Sequence, residues 1–243
     1  MLKIYHYYST YVRFASYTLN MKKHPTILSL LLLISFSAIA QTKIPLPVIK
    51  QEGKAYTDFI PKDWFALMVD SGDLNDDHIE DYTIILEADK DYLNTNGYNT
   101  KLNGAPRVLL ILFGRGIDSI HYELRADSAV LRNNGGDGDP LAQGSGIHTD
   151  GNIFELNYAG GVSVQWTAKY RFAYKNKEWL LVSYKGTEYN TVDDEVPLKD
   201  KEVDFVKKYA KQEKVKTPLP NLPKVTLQQF KPNSITITPG WVI

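Results

Sequence analysis

Five acidic residues crowd the nine positions of "DLNDDHIED": Asp73, Asp76, Asp77, Glu80 and Asp81. Asp73, Asn75, Asp77 and Asp81 fall at positions 1, 3, 5 and 9 of a D-x-N-x-D-x-x-x-D pattern. A tightly curled loop turns alternate side chains inward, and Ca2+ takes about six to eight oxygen ligands from carboxylates, amides and backbone carbonyls. The Ile79 carbonyl supplies position 7. The candidate metal ligands are therefore Asp73, Asn75, Asp77, Ile79 and Asp81, holding Ca2+ in a structural role that pins the strand starting at Tyr82. The affinity expected of an extracellular module is on the order of 10⁻⁴–10⁻³ M. An EF-hand is excluded, because position 12 is Ile84 rather than a bidentate glutamate and "YTIIL" reads as a strand. The competing reading is an acidic surface turn with solvated carboxylates.

An acidic loop opening onto a strand resembles the calcium loops of the FG-GAP/VCBS type, written D-x-D-x-D-G-x-x-D. "DLNDDHIED" has an oxygen-bearing side chain at each of the four ligand positions but has His78 in place of the glycine. That glycine takes a left-handed backbone, which histidine tolerates better than most residues.

Beyond residue 40 only His78, His121 and His148 remain, none spaced for zinc, and the chain has no cysteine. No G-x-S-x-G elbow is present, and "GSG" at Gly144–Gly146 lacks that frame. Asp137 and Asp139 flank Gly138 in a glycine-rich connection that reads as an irregular surface loop. Trp166, Tyr170, Phe172, Tyr174 and Trp179 fit either a core face or a sugar-stacking platform, and alternating strand aromatics favour the core.

The elements that would position these groups are strands. In "VSVQWTAKYRFAY", Val162, Val164, Trp166, Ala168, Tyr170, Phe172 and Tyr174 share one face, which predicts a long half-buried antiparallel strand. A turn at Asn176-Lys177 and a return strand over Trp179–Tyr184 complete a hairpin. "RVLLILF", Arg107–Phe113, reads as a central strand covered on both faces. Tyr82–Leu86, Tyr122–Leu131 and Ile153–Tyr158 are further strands. The intervening Gly, Asn and Asp clusters carry turn chemistry. Residues 58–190 therefore predict a mainly β domain, an antiparallel sandwich or curved sheet of about seven to nine strands. Half of the twelve prolines fall in the last 47 residues, so residues 191–243 read as an extended or partly helical C-terminal extension.

From Met21, "MKKHPTILSLLLLISFSAIAQTK" has a positive start, a short apolar core and an A-x-A end before Gln41. That is the pattern of a cleavable secretory signal over residues 21–40, too short for a transmembrane helix of roughly 20 apolar residues. Residues 1–20 read as lying upstream of a start at Met21, the alternative being a long n-region beginning at Met1. Residues 41–57 read as a linker. The removed part carries Lys3, Arg13, Lys22 and Lys23 and no acid, so 24 basic against 28 acidic residues remain. That balance excludes a nucleic-acid surface and a polybasic membrane patch, and no membrane span is expected in the mature chain. Without cysteine there is no disulfide framework, and a chain of this length buries a core that does without one.

The succession "GDLNDDHIEDYTIILE", "PRVLLILF", "GGDGDPLAQGSGIHTDGNIFELNYAGG" and "WTAKYRFAYKNKEWLL" is similar to a family of bacterial secreted β-domain proteins of uncharacterised activity. The resemblance covers residues 58–189 and implies an exported β domain without implying an activity. The expectation is an exported, periplasmic or extracellular, non-catalytic binding or scaffold domain for a protein or glycan, stabilised by calcium. The alternatives are a hydrolase of envelope or extracellular polymers, with acids of the Asp70–Asp81 and Asp137–Asp139 segments in one cleft, and an inhibitor or immunity-type partner.

Overall fold

The structure, a computed structural model, describes residues 46–132, 139–141, 145–190 and 197–243. Its strands in chain order are β1 (Glu52–Gly53), β2 (Trp64–Gly72), β3 (Asp81–Ala88), β4 (Arg107–Gly114), β5 (Ile120–Ala126), β6 (Gly146–Asp150) and β7 (Ile153–Gly160). They continue with β8 (Val164–Lys175), β9 (Glu178–Asn190), β10 (Pro197–Asp204), β11 (Tyr209–Gln212), β12 (Val215–Pro218), β13 (Thr236–Thr238) and β14 (Trp241–Val242). Two short helices, α1 (Lys90–Thr95) and α2 (Thr100–Asn103), bridge β3 to β4.

The protein is mainly β, as its turn chemistry and alternation predict. A five-stranded antiparallel sheet, ordered β1-β5-β4-β3-β2, packs against a seven-stranded one, ordered β12-β11-β10-β9-β8-β7-β6, and neither closes into a barrel. The continuous apolar runs of β3 and β4 follow from cover on both faces. Ile85, Leu109, Ile111 and Phe113 join the core shared with the large sheet, whereas Ile84, Leu86, Val108, Leu110 and Leu112 pack under Ile49 and Phe59 of the N-terminal segment. That segment is tied down by Arg125, which donates to the Pro47 carbonyl at 2.6 Å, and by Tyr122 N–H donating to Gln51 O at 2.9 Å.

The β8–β9 hairpin is the spine of the large sheet, paired from Val164↔Asn190 to Lys175↔Glu178 with a one-residue register shift between Arg171 and Phe172. Its two turn residues, Asn176 and Lys177, both have positive φ, 53° and 62°, which suits a tight turn between right-twisted strands. Trp179 and Phe172 pack with Phe154, and Phe113 reaches across from β4 to Tyr174 with ring centroids 5.2 Å apart. The stripe read from the sequence is core from Ala168 to Phe172, but Val162 and Val164 at its start are exposed.

The C-terminal segment departs from the expected extended or helical tail. β10 to β12 add three strands to the large sheet, and "DKEVDFVKKYAKQEKV" forms the β10–β11 pair. Alternation there is masked because only Val203 and Ala210 are buried between charged neighbours. Farther on, Leu181 N–H donates to Val225 O and Leu227 N–H to Trp179 O, both at 2.9 Å. Phe230 then inserts between Tyr170 and Phe172, at 4.8 and 5.0 Å between ring centroids.

Candidate functional site

The acidic loop connects β2 to β3 and holds itself closed. Asp73 Oδ1 accepts from the Asp77 N–H at 3.0 Å and Oδ2 from the His78 N–H at 2.8 Å. Asn75 Oδ1 also accepts from Asp77 N–H at 3.0 Å, and Asp77 Oδ1 accepts from Ile79 N–H at 2.8 Å. Asp76 and His78 take left-handed backbones, φ 63° and 65°, so the position of the motif glycine has the conformation the resemblance requires. Leu74 is fully buried and plugs the loop into the core between the sheets.

Asp81 is the hinge between this loop and the fold. It is fully buried, and its two oxygens accept from Leu74 N–H at 2.8 Å and Gly114 N–H at 2.9 Å. Gly114 must be glycine here, because a Cβ would overlap the Glu80 carbonyl oxygen and the Ile79 side chain. Burial pushes the Asp81 acid up to about 6; the two N–H bonds oppose this, and the charges of Asp77 and Asp73 reinforce it. Asp73 moves the other way. Burial disfavours its charge, but the N–H groups of His78, Asp77 and Asp76 outweigh that and hold it below the usual range. Glu80 points outside the ring, accepting from the Tyr82 hydroxyl at 2.6 Å and the Ser71 hydroxyl at 2.9 Å, which lower its acid.

The donor chemistry of Asp73, Asn75, Asp77, Asp81 and the Ile79 carbonyl suits a hard divalent cation. Each carboxylate oxygen that accepts one N–H keeps a second lone pair for such an ion. The side chains themselves are turned toward the loop's own N–H groups. Among the described residues no three His, Asp or Glu side chains gather around a common metal position.

The second acidic segment lies elsewhere. Asp139 forms a two-pronged pair with Arg107, at 2.8 and 2.6 Å, and Arg107 Nε also donates to Glu87 at 2.6 Å and Nη1 to the Leu131 carbonyl at 3.0 Å. Arg107 is 2 % exposed. Glu87 is six residues beyond Asp81 on β3, roughly 20 Å along the strand. The acidic loop and Asp139 therefore sit toward opposite ends of β3, and Asp137 lies outside the described residues. Of the aromatics weighed as a sugar platform, Tyr170, Phe172 and Trp179 are buried core, with Tyr174 and Trp166 packed at its margin.

Three charged residues escaped the sequence reading. Glu188, Lys199 and Lys201 lie on the inner face of the large sheet, where alternation calls for apolar side chains. The available signal was Trp166 opposite Glu188 at the open end of the hairpin, invisible without the register. Comparison of the chain with models of protein families, with curated proteins and with solved structures finds no match.

Proposed function

We propose that this chain is an exported β-sandwich domain that binds or scaffolds rather than catalyses, with its acidic loop as a cation-responsive brace. The observation that carries this is the burial of Asp81 between two backbone N–H groups from separate elements. A carboxylate so committed joins the β2–β3 loop to the end of β4, a structural use of the acid rather than a catalytic one. The hydrolase alternative needs the two acidic segments in one cleft, and their separation along β3 gives it no support.

In this reading Ca2+ sits on the outer lone pairs of Asp73, Asn75 and Asp77 with the Ile79 carbonyl, and Asp81 closes the ring. The ion would supply only positive charge, relieving the repulsion among these carboxylates. The test is thermal unfolding of the purified protein with Ca2+ and with a chelator, beside Asp77→Ala. Calcium at about 100 times Kd should add roughly 2.7 kcal/mol, and the variant should lose that gain. Equal melting with and without calcium would leave the loop as a self-closed turn. Export is tested separately, by reading the N-terminus of the protein recovered outside the cytoplasm of a bacterial host; Gln41 is expected.

A further inference from the structure

A sandwich interior that only had to pack would hold apolar side chains on both inner faces. The large sheet obeys this along one row and breaks it along the next two. Tyr170, Tyr184 and Val203 are cross-strand neighbours and buried, which fixes the inner face of β8, β9 and β10. Two residues along, the same face carries Ala168, Gly186 and Lys201; two further on it carries Trp166, Glu188 and Lys199. Beside the small Ala168 lies a hollow of about 190 Å³, bordered by these residues together with Tyr158, Asn233 and Tyr184, whose hydroxyl lies over Gly186. Gly186 is required for its shape, since a Cβ there would overlap the Tyr184 hydroxyl.

The charges in the hollow are arranged rather than scattered. Glu188 accepts from Lys199 Nζ at 3.1 Å and stands 3.9 Å from Lys201 Nζ. Lys201 also lies over the Trp241 ring at 5.9 Å, and its side chain is only 24 % exposed. Among the described residues, two ammonium groups against one carboxylate leave one positive charge unbalanced. The Lys199 and Glu188 side chains stay 51 % and 35 % exposed, so the desolvation cost falls mainly on the more enclosed Lys201. Local rules broken in this way, with the surrounding fold intact, mark functional positions.

We propose that this hollow binds one carboxylate-bearing sugar ring, a hexuronate unit. A ring acid of roughly a dozen non-hydrogen atoms fills the volume at the packing density of a protein interior. Its carboxylate meets Lys201 and Lys199, its hydroxyls meet Glu188 and Asn233, and its apolar ring face rests on Trp166 and Tyr184. The unit is either a free uronic acid or the end of an acidic polysaccharide. The proposal rests on the binding-domain reading above and names its ligand class.

The experiment is isothermal titration of the purified protein with glucuronate, glucose, acetate and a short oligogalacturonide, repeated on Lys201→Gln and Ala168→Val. Saturable binding of glucuronate or of the oligogalacturonide is expected, at least tenfold tighter than glucose or acetate and weakened at least tenfold by either substitution. Binding of the oligogalacturonide alone assigns the polysaccharide end as the source. Equal affinity for glucose or acetate, or full affinity in Lys201→Gln, overturns the proposal. So does absence of any binding, and in that case the export and calcium experiments still judge the binding-domain reading on their own. Ala168→Val fills the hollow without touching a charge, so it remains informative if Lys201→Gln fails to fold.

Discussion

At the scale of single residues, two buried charges decide how the protein responds to its surroundings. The Asp81 acid is raised to about 6 by burial, against 3.8 for an exposed aspartate. Between those values the folded chain holds a proton that the unfolded chain has released, so this group's contribution to stability falls as pH rises. The gap corresponds to about 3 kcal/mol lost by pH 7. In chelator, urea unfolding at pH 4 and pH 7 should show the difference between wild type and Asp81→Asn moving against wild type by most of that amount, about 2 kcal/mol. A difference independent of pH would mean that Asp81 ionises normally in the fold. Arg107 is the opposite case, a buried cation with every side accounted for. Arg107→Met strands the buried Glu87 and should cost about 3–5 kcal/mol by denaturant unfolding, with much of it restored by Glu87→Met in the same chain. Neither role is legible from residue type. The sequence places Asp81 in the acidic loop and Arg107 at the start of an apolar strand, and neither position tells of the partners each one finds.

At the scale of elements, the β8–β9 hairpin shows how far local rules carry. The alternation from Ala168 to Phe172 was readable because one face is core and the other meets water, and the turn was placed correctly at Asn176-Lys177. Lysine is an unfavoured residue at a φ of 62°. Lys177→Gly should therefore stabilise the protein by about 0.5–1 kcal/mol in denaturant unfolding, and a loss of stability would show that the lysine side chain makes a contact worth more than the strain. The acidic loop was similarly legible in backbone terms, since the left-handed residue expected in place of the motif glycine is found at His78. Its side-chain directions were not, because they depend on which N–H groups the curl happens to present. For a different reason, the sequence leaves a helix face at Val203, Val206 and Ala210 and a strand at Val203 and Phe205 as alternatives over β10 to β12. Their inner face carries Lys199, Lys201 and Gln212 beside Val203 and Ala210, so the period of two is hidden by charge on the face that should be apolar.

At the scale of the whole molecule, the C-terminal residues belong to the core and are not an appendage. Leu227, Phe230, Trp241 and Ile243 share one cluster with Phe154, Phe172 and Trp179. Phe230→Ala should cost about 3–5 kcal/mol, as for a core phenylalanine, and thermal unfolding measures it directly; a change below 1 kcal/mol would restore the picture of a loosely attached tail. The sequence by itself determined the fold class, the doubly covered strand at Arg107–Phe113, the spine hairpin and the curl of the acidic loop. Each of these follows from neighbours within about a dozen residues, through strand alternation, turn chemistry and left-handed backbone preference. Only the tertiary structure decided that Asp81 would be buried under Gly114 and that Asp139 would be committed to Arg107. It alone set Phe230 among the aromatics and gathered Glu188, Lys199 and Lys201 around one hollow. Cross-strand register and sheet packing, not local propensity, bring these groups together, whether they lie eleven residues apart like Glu188 and Lys199 or 33 like Asp81 and Gly114.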